Sequence, residues 1–171
     1  TLNLPDEDIS ADMQELSMDY LQQQGYLHYE IANFARPGFF SVHNRVYWNN
    51  GNYLGLGLSA SSHFANYRHT NSASLASYIT EIAQGSLPVA ERESLDPETE
   101  MGETVFLSLR LLEGLSFQTF KERYGIEFRH LYRKQMEKLV CLGLLEYDHE
   151  RVRLTKKGIF LANEVFMEFL P

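Results

Sequence analysis

Start and stop signals for helices in the C-terminal half constrain the fold more than any other feature of this chain. Asp96 followed by Pro97 is an N-cap with proline at the first helical position, and apolar residues then recur at helical spacing until Gly114. A second helix ends at Gly125, and a third helix follows over about 128–142. The sequence therefore predicts three consecutive helices.

A short hairpin follows these helices. Apolar strands are predicted at 144–147 and 151–154, on either side of the polar turn 148–150, and Thr155 caps a last helix. The order helix, helix, helix, two-stranded hairpin, helix is that of a winged-helix domain. We therefore predict a winged-helix-like, largely helical domain over 96–171.

The charge pattern argues against a nucleic-acid partner for this domain. The chain has a net charge of −8, and residues 116–171 have a net charge of only +2. Phosphate binding needs clustered Lys and Arg in excess, whereas here acidic residues stand among the basic ones. We predict that this domain packs against a larger protein and binds no DNA.

The first 70 residues predict an α/β segment. Apolar residues recur at helical spacing up to Gly25, and residues 26–31 then alternate as in a strand. Residues 33–52 are rich in Pro, Gly and Asn and predict turns and loops. Residues 53–58 are apolar with two glycines, which predicts a buried strand whose backbone is approached closely.

Three parts are expected from this pattern. Residues 1–70 form the α/β segment, 71–95 form a connecting helix and linker, and 96–171 form the helical domain. The connecting helix runs from Leu75 and ends at Gly85, with apolar residues along one face.

Composition favours a folded, cytoplasmic protein. Hydrophobic residues make up 44% of the chain, which is enough for a packed core, and no apolar run approaches the roughly 20 residues that cross a bilayer. The N-terminus is acidic, unlike a signal peptide. Cys141 is the single cysteine, so no internal disulfide or CxxC zinc pair can form. Its apolar neighbours predict a small core residue.

Three motifs stand close together in the first 60 residues. They read YEIANFARPG over 29–38, HNRVYW over 43–48 and YLGLG over 53–57. Their order resembles the late part of radical S-adenosylmethionine proteins of the oxygen-independent coproporphyrinogen III oxidase-like family. Within that family the chain is most similar to the HemW-type haem chaperone branch. The helical domain over 96–171 resembles the C-terminal domain of the same family.

The resemblance implies a C-terminal part of a longer protein. The front segment would then be the last elements of a radical SAM (β/α) barrel, and the parent would hold a [4Fe-4S] cluster and S-adenosylmethionine. The family's cluster motif, CxxxCxxC, is missing from this chain, which has one cysteine. We therefore expect the chain alone to be inactive in radical chemistry.

The HNRVYW motif contains the candidate haem site. A haem iron accepts imidazole or phenolate, and its macrocycle stacks on aromatic faces, so the residue types fit haem. From the residues alone, a His-Asn pair in a turn is also a common hydrogen-bonded cap. The resemblance favours haem contact, with His43 first as the ligand of the iron, Tyr47 second, and Asn44 beside them. Trp48 is expected to pack in the protein.

Further candidates come from the other two motifs. Glu30 and Asn33 would lie where a barrel strand ends, which is where chemistry occurs in such barrels, and Gly55 and Gly57 would line the same cleft. Glu30 could equally be a solvated or paired carboxylate. Arg36 could pair with a porphyrin propionate or be a surface arginine.

The segment after YLGLG departs from the family. Relatives commonly read GLGxGAHS, whereas this chain has Ser59 where a glycine is frequent and Ser61 where a histidine is usual. His63 lies two positions later, and we assign no role to it. The remaining histidines show no metal-ligand spacing and are interpreted as structural or surface residues: His28, His69, His130 and His149.

Three functions stay open at this point. The first is a haem-binding chaperone that passes haem to an apoprotein, and the second is the oxygen-independent coproporphyrinogen III oxidase itself. The third is an interaction module, which would show an apolar patch on its third helix or wing. Because an incomplete barrel leaves apolar faces without partners, we also predict self-association, to be measured by light scattering.

Overall fold

A computed structural model describes residues 4–171 and shows a mixed α/β protein. The helices are α1 Glu7–Gln23, α2 Val42–Trp48, α3 Leu75–Ala83, α4 Pro97–Ser108, α5 Phe117–Tyr124, α6 Phe128–Leu131, α7 Arg133–Cys141, α8 Lys156–Phe160 and α9 Ala162–Met167. The strands are β1 Leu27–Glu30, β2 Asn33–Ala35, β3 Ser61–Phe64, β4 Tyr67–Asn71, β5 Val89–Ser94, β6 Leu115–Ser116, β7 Leu145–Tyr147 and β8 Arg151–Leu154.

The predicted helix start at Asp96 and the predicted helix end at Gly125 are confirmed. The carboxylate of Asp96 accepts hydrogen bonds from the backbone N–H groups of Glu98 and Thr99, at 3.1 and 3.0 Å. Gly125 ends α5 in the left-handed conformation, with φ 70°. The predicted end of α4 at Gly114 is wrong, because the helix already stops at Ser108.

Two predicted helices are each broken into two. The third helix is divided at Tyr132, whose φ of −104° and ψ of 27° leave the helical range, and the last helix is divided at Leu161. The Tyr132 ring is buried, and its centroid lies 5.2 Å from that of Phe128 and 5.3 Å from that of Phe169. Tertiary packing of this ring therefore overrides helical continuity.

The predicted hairpin is present as part of a larger sheet. Strands β7 and β8 pair antiparallel, and the two-residue strand β6 pairs with the other edge of β8. The sheet has the order β6-β8-β7, so the domain is less purely helical than expected.

The main hydrophobic core lies in this half of the protein. Among the described residues, all fully buried large apolar side chains fall between Leu95 and Phe169. Phe120 and Phe128 lie at its centre, with Phe117, Tyr132 and Phe169 around them. Aromatic side chains bury the most area per residue, so this cluster contributes much of the stability. Cys141 is exposed, and its predicted core position is wrong, because α7 turns Met136 and Leu139 inward instead.

The first 50 residues contain two predicted elements and two unexpected ones. Helix α1 and strand β1 are confirmed, and Asp6 caps α1 by accepting from the N–H of Ile9 at 2.8 Å. The range 33–52 is wrong as a loop, because it contains β2 and α2. Strand β2 pairs antiparallel with β1, and Ser41 caps α2.

The predicted strand over 53–58 is also wrong. Only Tyr53 forms a bridge, with His63, and the rest is irregular. Residues 59–94, for which no sheet was predicted, contribute the antiparallel sheet β3-β4-β5. Every strand pair among the described residues is antiparallel, so the parallel pairing of a (β/α) barrel is not formed within this part of the chain.

Two helices of the first half leave their apolar faces uncovered. On α1 the exposed face includes Met13 and Leu16, and on α3 it includes Leu75 and Ile79. Neither helix has a buried residue. Across residues 4–171, no helix has the length and apolarity that crossing a membrane would require.

Candidate functional site

Helix α2 presents the candidate haem residues. Ser41 caps the helix by accepting a hydrogen bond from the backbone N–H of Asn44 at 3.2 Å, so the cap is a serine and His43 lies in the first turn. His43 is exposed, and Asn44 is half-buried. His43 and Tyr47 are four residues apart and meet edge to face, with ring centroids 4.8 Å apart. The helix therefore brings the two predicted ligands side by side.

The contact continues into the protein through two residues that the sequence analysis did not select. The Tyr47 ring meets Tyr53 at 4.4 Å between centroids, and Tyr53 meets His63 at 6.2 Å. We call His43, Tyr47, Tyr53 and His63 the aromatic row. It runs from an exposed imidazole to one that is 3% exposed. The sequence signal that could have identified Tyr53 and His63 is that His63 lies two positions after Ser61, where relatives usually have a histidine.

Burial alters the proton affinity of the inner half of this row. Desolvation raises the pKa of Tyr53 above its ordinary value, and the neighbouring Tyr47 raises it further. Desolvation lowers the pKa of His63, and the Arg68 cation lowers it further. The Nε2 atom of His63 is buried without a hydrogen-bond partner among the described residues. His63 is therefore held as the neutral imidazole at neutral pH.

This burial predicts a loss of stability in mild acid. The unfolded chain binds a proton at His63 near pH 6.5, whereas the folded protein binds it only at lower pH. The free energy of unfolding should therefore fall as the pH drops below about 6.5, and His63 should add no pH dependence above it. Urea unfolding at pH 7.5 and about 5.5 measures the difference. His63→Gln should reduce the acid loss, and His149→Gln, at an exposed site, should not. An equal acid loss in the wild type and His63→Gln would contradict this.

Glu30 and Asn33 are brought together in the turn between β1 and β2. The Glu30 carboxylate is 0% exposed, accepts a hydrogen bond from the Asn33 side-chain amide, and accepts another from the N–H of Ala32 at 3.2 Å. The interpretation of Glu30 as a paired carboxylate fits this geometry. A cleft-lining role for the two residues stays a prediction.

The two glycines of YLGLG contact the protein's own chain. A Cβ atom on Gly55 would lie well inside 3.0 Å of the Ser61 carbonyl oxygen. The Asn71 amide donates to the carbonyl oxygens of Gly55 and Gly57, at 3.2 and 3.0 Å. The close approach predicted at this segment is therefore made by β3 and β4. Binding of a cofactor by these glycines stays a prediction.

Two other sequence candidates contact aromatic rings. The Arg36 guanidinium lies over Tyr26, 5.6 Å from the ring centroid. Trp48 is half-buried beneath Arg110, whose guanidinium carbon lies 4.4 Å from its ring centroid. Trp48 therefore packs in the protein, as predicted.

The outer face of the helical domain carries an apolar groove. Its volume is about 520 Å³, and Met136, Val140 and Tyr147 line it beside Arg129. This is the type of surface expected for an interaction module.

Among residues 4–171, no group of three His, Cys, Asp or Glu side chains is arranged to hold a metal ion.

Comparisons with known proteins agree with the motifs. Residues 95–161 match the family described as HemN C-terminal domain. The chain is 38% identical over 172 residues to the heme chaperone HemW of Lactococcus lactis, with coverage of 99% of this chain and 44% of that protein. It is 35% identical over 169 residues to HemW of Bacillus subtilis, with coverage of 99% and 45%. The chain thus spans less than half the length of these relatives.

A solved structure shows the same fold. It is described as coproporphyrinogen III oxidase (HemN) from Escherichia coli, a radical SAM enzyme. The TM-score is 0.72 at 21% identity, with 97% of this chain and 42% of that chain covered. Residues 95–161 therefore match a HemN C-terminal domain, and the chain is similar over nearly its whole length to the HemW heme chaperones.

Proposed function

We propose that this chain is part of a haem chaperone and contributes the haem-contacting helix. The observation that carries the proposal is the exposed His43 imidazole beside Tyr47 on α2. An accessible imidazole can ligate haem iron, and an adjacent aromatic ring can contact the macrocycle. In this proposal His43 ligates the iron, Tyr47 contacts the ring or serves as the second ligand, and Asn44 lines the site.

The relatives favour the chaperone over the oxidase. Proteins named heme chaperone HemW are 33–38% identical to this chain over nearly all of it. The likeness to the oxidase is 21% in sequence and concerns the fold. The cargo is haem, and an apoprotein that receives it is the implied partner.

A [4Fe-4S] cluster does not fit the residues of this chain. Cluster irons are held by several cysteine thiolates, and Cys141 is the single cysteine. In the proposal, the cluster and S-adenosylmethionine belong to a longer parent protein. The single cysteine, exposed and unpaired, suits a reducing cytoplasm, which is the location we assign.

The domain division follows the same proposal. Residues 1–70 contribute the last elements of a radical SAM barrel that is completed elsewhere in the parent, and 71–95 connect them to the C-terminal domain. Residues 96–171 form a winged-helix-like domain, supported by the order of their helices and by the sheet β6-β8-β7. That domain holds the main core.

A haem titration tests the function directly. The intact chain should give a saturable Soret spectrum, and His43→Ala should lose it because the iron loses its nitrogen ligand. His149→Ala is the matched control, since His149 is an exposed histidine in the turn between β7 and β8 and should leave the spectrum unchanged. Circular dichroism checks that both variants are folded.

The outcomes separate the candidate functions. An identical spectrum in wild type and His43→Ala removes His43 as the ligand. No saturable binding by any of the three proteins removes haem binding from this chain. The apolar groove on α7 and β7 would then favour the interaction module.

We also propose that the chain self-associates. The uncovered apolar faces of α1 and α3 are the surfaces that a second copy would cover. Light scattering of the chain should show a mass above the monomer that increases with concentration. The double variant Ile79→Gln, Ile82→Gln should shift the chain toward the monomer, because both side chains are exposed on α3. A strictly monomeric wild type at high concentration would contradict this.

A further inference from the structure

A cavity lined by arginines lies on the other side of α2 from His43. It has a volume of about 220 Å³ and is bounded by α2, α4, α5 and β8. Arg45, Arg123 and Arg151 line it, and we call it the arginine cavity. Since α2 turns about 100° per residue, Arg45 points roughly opposite to His43 and Tyr47. The cavity is therefore separate from the proposed haem site.

The cavity is positive in an acidic protein. Three guanidinium groups face it, and Glu113 is the single carboxylate among its lining residues, although the chain as a whole carries a net charge of −8. Glu100 is not among the lining residues, but it pairs with Arg123 at 2.9 Å and brings the net charge of the cavity and this partner to +1. The lining residues alone carry a net charge of +2. Such a site attracts an anion, and most strongly a dianion.

Two of the three arginines, Arg45 and Arg151, keep donors that the protein does not use. Arg45 contacts Glu113 through one nitrogen, at 2.6 Å. Arg151 forms no ion pair within 4.0 Å among the described residues, and its side chain donates one hydrogen bond, to the Gly114 carbonyl oxygen at 3.5 Å. Arg123 already donates to the carbonyl oxygens of Asn49 and Asn50 and to the Glu100 carboxylate, at 3.3, 3.0 and 2.9 Å. A guanidinium offers five N–H donors in a planar fork, so Arg45 and Arg151 are the arginines that keep donors for an oxyanion.

The rest of the lining is suited to the same kind of ligand. Residues with hydroxyl groups line the cavity from three elements: Thr104, Ser108, Ser116 and Thr119. Ser116 and Thr119 also lie at the start of α5, whose N-terminal dipole favours negative charge. Phe120, which belongs to the hydrophobic core, also lines the cavity.

We propose that the arginine cavity binds a small dianionic oxyanion, and that its natural ligand presents a phosphate group. Arg151 is the central contact, because it has no carboxylate to release before it binds. Arg45 adds further hydrogen bonds from α2, and Arg123, held by Asn49, Asn50 and Glu100, forms the α5 side of the lining. The site joins residues before the HemN C-terminal domain to residues within it, so an occupied cavity would also hold these two parts together.

Inorganic phosphate is the probe for the test. Phosphate is titrated into the ¹⁵N-labelled chain at constant ionic strength, with chloride as the balancing anion, and amide shifts are followed by NMR. Saturable shifts should concentrate at Gly114 and Thr119. Arg151→Gln should weaken binding by about tenfold or more, because a charged hydrogen-bond donor is lost. Arg151→Lys keeps the charge and should weaken it less.

Arg92→Gln is the matched control, since it removes one positive charge from exposed strand β5 and should leave binding unchanged. The amide spectra show whether each variant is folded. Non-saturable shifts, shifts spread over other surfaces, or equal affinities for Arg151→Gln and Arg92→Gln would each overturn the proposal. His43→Ala should bind phosphate normally, so this test and the haem test fail independently.

Discussion

Phe128→Ala is expected to lower the free energy of unfolding by about 3–5 kcal/mol. Phe128 is 0% exposed and is the centre of the aromatic cluster. Its ring lies 5.2 to 5.6 Å from the rings of Phe117, Phe120 and Tyr132, measured between centroids. Truncation removes the transfer free energy of the ring and leaves a cavity that rigid neighbours cannot fill.

Phe39→Ala is the control for this measurement. Phe39 is 79% exposed, so removing the same ring should change stability by less than about 0.5 kcal/mol. Urea unfolding followed by circular dichroism gives both values, and the midpoint should shift for Phe128→Ala without a large change in slope. Equal midpoints for the two variants would show that the cluster does not hold the core.

Gly158→Ala should destabilise the protein, although helix propensity alone predicts the opposite. Gly158 lies within α8, where alanine is favoured over glycine by about 1 kcal/mol. A Cβ atom there would lie well inside 3.0 Å of the Leu144 carbonyl oxygen. That oxygen also accepts the N–H of Thr155 at 3.0 Å, so it cannot move freely. We expect a loss of roughly 2–3 kcal/mol from this overpacking.

Asn163→Ala is the matched control on the neighbouring helix. Asn163 is exposed on α9, and alanine there should be neutral or stabilising by a few tenths of a kcal/mol. Thermal unfolding should therefore give a lower Tm for Gly158→Ala than for the wild type, and an equal or higher Tm for Asn163→Ala. A Tm that rises in both variants would show that the backbone at Leu144 yields to the new methyl group.

The sequence predicted the elements that local chemistry determines. The cap at Asp96 and the stop at Gly125 are properties of single residues, and both are confirmed. The break at Tyr132 depends on rings brought together from α6 and the chain's last residues, so no local signal contains it. The strands β3, β4 and β5 were missed because polar side chains occupy both of their faces, and β5 is exposed along most of its length.

The same distinction applies to the candidate site. His43 and Tyr47 were identified as candidate haem residues because both belong to one six-residue motif, HNRVYW over 43–48. Tyr53 and His63 were missed because their contact needs the bridge that joins residues ten positions apart. The arginine cavity was missed for the same reason, since its three arginines come from α2, α5 and β8.

Because the main core lies in the second half of the protein, the two halves should differ in how readily they unfold locally. Hydrogen exchange should be slowest at amides of α4 and β8, which pack on the aromatic cluster, and fastest in α1 and α3, which bury no side chain. Segments with few buried apolar contacts open without global unfolding. The first half, which includes α2, would then sample partly opened states while the second half stays folded. Under the proposed function, such local opening would give a flat, rigid cargo a route into and out of the site on α2.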